Sequence, residues 1–397
     1  MLRTSIAKAK CGTLTIVPMT QNNKNVGLIA VAFCFIFFGF GTAQQYLVVL
    51  FKQSGHGALA LVTLLLLYST FLLTGIMVPK MIPLLGGLKR SLIFGALTYF
   101  FFVIAVASMN VPLILFAAIA IGAGAGFLWV TSGKIIADSS SPTTIGRNLS
   151  FQQIGLYSGN IAGIWTGGHL VNVLPLAQMY LVLAVAALFG TLILSGVRPI
   201  KENAQERPFS PSYLFAPHML MLAPLIFGAY YLQAQVFTAV NIAIVNLVGI
   251  GFIPLIISGL KISNIVGSFG SGTLSDWYNK ATILSGLVGI ALTGIIVFTF
   301  FSTFRTLLVG AILMGFSMAA IYPVVLAWLK EKVSGEEYLY ALGTFHVYTN
   351  AGVISAIGAN LLLPSSTTFL PGMIALLLSF VGIAWFNKHT RRDRAVV

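Results

Sequence analysis

The distribution of charge limits what this chain can fold into more than any other feature. It carries 22 basic and 8 acidic residues in 397, and only one of them, Lys261, falls clearly inside one of its long apolar runs. Runs of about 20 apolar residues recur from end to end, and each is long enough to cross a hydrocarbon layer roughly 30 Å thick. Hydrophobic residues make up 58% of the chain and charged residues 8%, whereas about a quarter of a soluble domain is charged. The sequence therefore reads as an all-α membrane protein whose main partner is the lipid bilayer. The net charge of +14 does not call for a nucleic acid, because basic residues retained in cytoplasmic loops account for it.

Twelve spans can be laid out, roughly 26–48, 57–79, 90–109, 111–135, 148–173 and 176–197, then 218–241, 249–274, 281–301, 306–329, 339–363 and 367–387. The only long internal hydrophilic stretch, 198–216, divides them into two sets of six. This gives a cytoplasmic tail at 1–25, a six-helix bundle at 26–197, a cytoplasmic linker at 198–216, a second bundle at 217–387 and a cytoplasmic tail at 388–397. With the N-terminus inside, all basic residues except Lys52, Lys261 and Arg305 fall on the cytoplasmic side. That asymmetry predicts both termini in the cytoplasm of a plasma or inner membrane. No cleaved signal peptide is read at the N-terminus, and Met19 reads as an alternative start that leaves 1–18 without functional weight. Cys11 and Cys34 are the only cysteines, so neither a disulfide framework nor a cysteine metal site is expected. Gly122-Ala-Gly-Ala-Gly-Phe-Leu-Trp129 and Gly315-Phe-Ser-Met-Ala-Ala-Ile-Tyr322, 193 positions apart, each place a glycine seven residues before a large aromatic. The match suggests two related halves, a common build of secondary transporters.

Between the eighth and ninth spans lies Gly272-Thr-Leu-Ser-Asp276-Trp-Tyr-Asn-Lys280. A glycine there lets two helices approach, and the aspartate can meet the positive N-terminus of a neighbouring helix. The segment resembles the signature loop of the major facilitator superfamily, with Trp277 and Asn279 at positions usually held by arginine and glycine. The resemblance implies two pseudo-symmetric six-helix bundles and places Asp276 against the start of the fifth span, where Arg147 sits. The matching loop of the first half, Pro79-Lys-Met-Ile-Pro-Leu-Leu-Gly-Gly-Leu-Lys89-Arg90, has no acidic residue, while Glu336 and Glu337 open the eleventh span. The expectation is therefore a charge-swapped pairing of Lys89 and Arg90 with Glu336 and Glu337.

In the fifth span, Gly159, Gly163, Gly167 and Gly168 resemble a motif of drug/proton antiporters, with Ile164 in place of its proline. Small residues four apart also serve close helix packing, and that reading is favoured. Gly39-Phe-Gly-Thr-Ala-Gln44-Gln45, the 122–134 segment and the Leu-Gly-Gly-Leu-Lys loop resemble the Unc-ninety-three-like branch, which also includes accessory and trafficking proteins. Ser132-Gly133-Lys134 lacks the first glycine of a phosphate loop, and the Asn148 sequon falls on the cytoplasmic side.

Lys261 lies fifteen residues before Asp276, about 22 Å along a helix. Intramembrane ionisable residues usually line a cavity or pathway. Two alternatives stay open: the run 242–260 spans the membrane and Lys261 lies just past it, or Lys261 is a neutral structural amine. In the fold the resemblance implies, Gln44, Trp129, Tyr231, Tyr322, His346 and Asn350 line the central cavity with Lys261. These readings predict a monomeric transporter that moves a small organic anion or amphipathic solute by alternating access, without a cofactor or metal. Lys261 would recognise charge, and Lys261 or His346 would take part in any proton coupling. The alternative is a non-transporting regulatory or trafficking subunit with the same fold. An enzyme is not expected, because there is no metal-ligand cluster, nucleophile–base spacing or paired carboxylate.

Overall fold

The computed structural model describes residues 21–53, 57–198, 211–235, 253–300, 303–333, 335–363 and 367–395. Residues 1–20 with Met19, positions 199–210 of the linker, and 236–252, where the seventh span is expected to end and the eighth to begin, lie outside the described residues. Twelve helices are described: α1 Gln21–Gln53, α2 Gly57–Met81, α3 Leu88–Ala107, α4 Val111–Asp138, α5 Ile145–Leu170, α6 Leu176–Leu194, α7 Pro217–Gln235, α8 Ile253–Ser275, α9 Lys280–Phe300, α10 Phe304–Lys332, α11 Gly335–Leu362 and α12 Leu370–Ala395. No strand occurs among the described residues. Side-chain caps open two of the described helices. Asn110 caps α4 by accepting from the Leu113 amide at 3.1 Å, and Thr303 and Thr306 form a reciprocal capping box at the start of α10.

The helices pack as two six-helix bundles. In the first, α1 lies against α5 and α6, α3 against α4 and α6, and α2 against α4. In the second, α10 lies against α8 and α9, and α7 against α11 and α12. The bundles meet along two main seams, α5 with α8 and α2 with α11. Eight described helices are long and apolar enough to cross a membrane: α1, α2, α3, α4, α6, α9, α10 and α12. The more polar four, α5, α7, α8 and α11, supply three of the four helices in the seams and much of the central cavity, so their polar side chains face protein rather than lipid.

Glycine sets the closest approach within the first bundle. Gly155, Gly159, Gly163 and Gly167 share one face of α5, and a Cβ on any of them would lie 2.0–2.5 Å from an atom of α1. A Cβ on Gly168 would meet the Tyr46 hydroxyl at 2.7 Å. The spacing of four that resembles an antiporter motif is thus a groove that seats α1.

Candidate functional site

A cavity of about 130 Å³ sits between the bundles, with room for several waters or a small solute. The first bundle lines it with residues of α1 to α5, the second with residues of α7, α8 and α11. Lys261, only 3% exposed, lies in this lining. Its Nζ is 5.2 Å from the centre of the Tyr157 ring, within cation–π range. No carboxylate appears among the described lining residues.

Gln44, Trp129, His346 and Asn350 also line the cavity. Gln44 donates to the Tyr68 hydroxyl at 2.8 Å, and the Trp129 indole donates to the Tyr99 hydroxyl at 3.2 Å. The Asn350 amide nitrogen donates to the His346 carbonyl at 2.6 Å. Several buried polar atoms of the lining have no hydrogen-bond partner: Gln45 Nε2, Gln153 Nε2, both ring nitrogens of His346, and Asn350 Oδ1. Buried polar groups are normally satisfied, so this concentration in one cavity points to a polar occupant, water or solute.

Two of the expected cavity residues are elsewhere. Tyr231 is fully buried within the second bundle, where its hydroxyl donates to the Thr368 carbonyl at 2.5 Å. Its neighbour Tyr230 takes the cavity-facing position, since successive residues on a helix point about 100° apart. Tyr322 lies outside the lining, where its ring meets Trp129 edge-on at 5.9 Å. Its hydroxyl donates to Gln152 Oε1 at 3.2 Å, and Gln152 donates in turn to Ser132 at 2.9 Å. The two aromatics of the internal repeat therefore touch across the bundle interface. The sequence reading missed Tyr68, Tyr99 and Gln153 as lining residues. The Gln152-Gln153 pair was a usable signal, being two amides within a span; the tyrosines were not, because nothing in a membrane helix separates a lining tyrosine from a packing one.

The face of the molecule that carries the described chain ends is closed by directed contacts. Asp276, in the turn after α8, accepts from the Gly146 amide at 2.8 Å through Oδ1 and from the Arg147 amide at 3.0 Å through Oδ2. Both amides belong to the first turn of α5, whose own cap residue Thr144 makes no side-chain cap bond. Asp276 therefore caps a helix of the opposite bundle, and it engages Arg147 through the backbone. Beside it, Gly272 and Gly146 stand back to back: a Cβ on Gly146 would meet the Gly272 carbonyl oxygen at 2.3 Å. Ser150 of α5 donates to the Ser268 carbonyl of α8 at 2.7 Å. Lys280 pairs with Glu331 at 2.7 Å within the second bundle. Asp138 joins α4 to α10 by accepting from Lys134 at 2.6 Å and from Lys330 at 3.3 Å.

The charge-swapped pairing is not among the ion pairs of the described residues. Glu337 instead meets Tyr213, in the approach to α7, and lies near His218 in its first turn. The side chain of Glu336 lies outside the described residues. Arg90 folds back over Gly86, whose left-handed φ of 79° ends the short 3-10 turn before α3.

The family model of the Major Facilitator Superfamily matches residues 29–305. The UNC93-like protein MFSD11 of Xenopus laevis is 26% identical over 206 residues, 49% of this chain and 46% of that protein. The UNC93-like protein 3 of Arabidopsis thaliana is 26% identical over 170 residues, 43% of this chain and 32% of that one. The match thus spans less than half the length of either relative. Among solved structures, the human organic anion transporter MFSD10 superposes with a TM-score of 0.76 at 12% identity, covering 92% of this chain and 100% of that one. A bacterial homologue of the iron transporter ferroportin, in an outward-facing state, gives 0.75 at 12% identity, covering 93% and 100%. The Escherichia coli fucose:proton symporter gives 0.66 at 16% identity, covering 92% and 99%. At these identities the structural likeness is one of fold.

Proposed function

Because the chain belongs to the Major Facilitator Superfamily, we propose that it is a secondary transporter that moves a small organic anion or amphipathic solute through the central cavity by alternating access. The observation that carries this reading is Lys261: a buried lysine in a cavity between two bundles, among unpartnered amide nitrogens and a histidine. A cation held at the interface of two bodies that can rock against each other meets an anion from either side of the membrane. Lys261 and His346 are the basic groups of the described lining, and a coupling proton would sit on one of them. We place the termini in the cytoplasm on the distribution of basic residues. In that orientation Gly272, Asp276, Arg147 and Lys280 belong to a cytoplasmic gate, and the chain is closed on the cytoplasmic side. A regulatory subunit without transport would suit a collapsed, apolar centre better than this polar one.

The test is a thermal-shift panel of organic anions on purified wild type and Lys261→Ala, with each stabilising anion then assayed by counterflow in proteoliposomes. The expected result is an anion that stabilises the wild type, loses that effect in the variant, and exchanges across the membrane. If no anion separates wild type from variant, the assignment of Lys261 fails. Selective binding without counterflow would instead favour the regulatory reading.

A further inference from the structure

Building on the transporter reading above, we propose that the cavity is a two-ended site for an aromatic monocarboxylate, with the ring against Phe37, Phe71, Trp129 and His346 and the carboxylate at Lys261. The two ends come from different walls. Helices α1, α2, α4 and α11 supply a connected set of rings that line the cavity: Phe37 and Trp129 meet at 5.8 Å, Trp129 and His346 at 5.9 Å, and His346 stacks on Phe71 at 5.4 Å with an interplanar angle of 28°. The Trp129 N–H is already engaged by Tyr99, so the indole offers an incoming group its π surface. Such surfaces favour another ring, edge-on or offset, over a saturated group of equal size. The facing wall, from α5, α7 and α8, supplies Tyr157, Gln233 and Lys261.

The ends also differ in depth. Trp129 stands nine residues from Asp138 and Lys261 fifteen from Asp276, both aspartates being at the closed face, which gives about 13 Å and about 22 Å at 1.5 Å per residue. The backbone at Lys261 thus lies about 9 Å farther along the bundle than that at Trp129, an offset suited to an elongated solute with one aromatic and one anionic end. Gln45 Nε2 and Gln153 Nε2 are unpartnered donors in the lining and can serve oxygen atoms of the same solute. With one ammonium among the described lining residues, a monoanion matches the site and a dianion does not.

The test is calorimetric titration of the purified full chain with three probes: 3-phenylpropionate, 3-cyclohexylpropionate, which removes the aromaticity, and 3-phenylpropionamide, which removes the charge. Wild type should prefer the phenyl acid over the cyclohexyl acid by about five-fold, in line with one or two ring contacts. It should prefer the acid over the amide by about ten-fold or more, in line with a charge-assisted hydrogen bond. Trp129→Leu should abolish the first preference and keep the second, and Lys261→Gln should do the reverse. Phe71→Leu repeats the ring test should Trp129→Leu fail to fold. An acid preference that depends on Lys261, with no phenyl preference, overturns the aromatic end and leaves the anion reading standing. No acid preference, or no binding by any probe, overturns both.

Discussion

The two seams between the bundles are related by the internal repeat, yet they are closed by different chemistry. Gly75 of α2 and Gly272 of α8 are 197 positions apart, as are Gly146 of α5 and Gly343 of α11. In each seam the two glycines meet backbone to backbone: a Cβ on Gly146 would lie 2.3 Å from the Gly272 oxygen, and one on Gly343 would lie 2.4 Å from the Gly75 oxygen. Four residues beyond the first glycine the halves diverge. The second half has Asp276, which caps α5; the first half has Pro79, whose ring lies 3.9 Å from a Cβ built on Gly343. The cause is where the partner helix begins. α5 starts at Ile145, so the amides of Gly146 and Arg147 belong to its first turn and have no intrahelical acceptor. α11 starts at Gly335, two turns before Gly343, so the amides at that level are already bonded within the helix. A carboxylate is useful at one seam and would have no amide to cap at the other. The missing acid in the first-half loop therefore needs no compensating ion pair.

The largest effect should come from the feature the seams share. Gly146→Ala and Gly343→Ala each force a methyl group into a backbone carbonyl, and overpacking of this kind costs about 1–3 kcal/mol. Gly75→Ala, whose Cβ would sit 3.3 Å from the Gly343 oxygen, should be much milder. Spin labels at Leu84 and Trp277, 81% and 75% exposed in the loops of opposite bundles, would report the outcome in a cysteine-free background. Longer distances in the first two variants and an unchanged one in the third are expected. If Gly75→Ala opens the face as widely as Gly343→Ala does, backbone apposition is not what holds the α2–α11 seam.

The fold was almost wholly legible in the sequence, because in a bilayer the segregation of charge and apolar length leaves few alternatives. The twelve spans and the two sets of six follow from those signals alone. The site was less legible. Lys261 stood out because an ammonium within an apolar run needs a reason, and Gln44, Trp129, His346 and Asn350 do meet it in one lining. Tyr230 and Tyr231 are chemically identical, and only the rotation of α7 decides which faces the cavity. The pairing of Asp138 with Lys330 was hidden for another reason: the partners are 192 positions apart, and each has nearer residues of opposite charge. The swapped-charge pairing is not seen for Glu337, which meets Tyr213 instead; loop composition does not reveal where a helix starts, and the helix start decides whether an acid has amides to cap.

The middle effect isolates the feature the seams do not share. Asp276→Asn replaces one of the two acceptors of the α5 cap with an amide donor, and the lost hydrogen bond costs about 1 kcal/mol at neutral pH. Pro79→Asp, which adds an acid at the matching position, should give no gain in closure. Burial pushes the Asp276 carboxyl above its usual range, outweighing the two amide bonds and the charges of Lys280 and Arg147. The sign follows from proton linkage: the closed state binds the proton more readily than a state in which Asp276 is solvated. Closure should therefore strengthen as pH falls from neutral toward the ordinary aspartate range, and Asp276→Asn should flatten that slope. The spin-label distance measured against pH checks both; a slope of the same size in the variant would assign the titration to another group.

The smallest effects concern the ionic contacts, and they test whether the α2–α11 seam has an ionic component at all. Lys330→Ala breaks the link from α10 to Asp138, a partly exposed pair, and about 0.5 kcal/mol of closure should be lost. Reversing Lys89 and Arg90 to glutamate should do less. Arg90 is exposed and folded over Gly86, while Glu337 is engaged with Tyr213, so the reversal removes no ion pair of the described residues. The label distance and the melting temperature should both match those of the wild type. If the reversal opens the face more than Lys330→Ala does, the first-half loop closes its seam through charge after all. The contrast between a capped seam and an uncapped one would then reduce to two seams that are both held by ions.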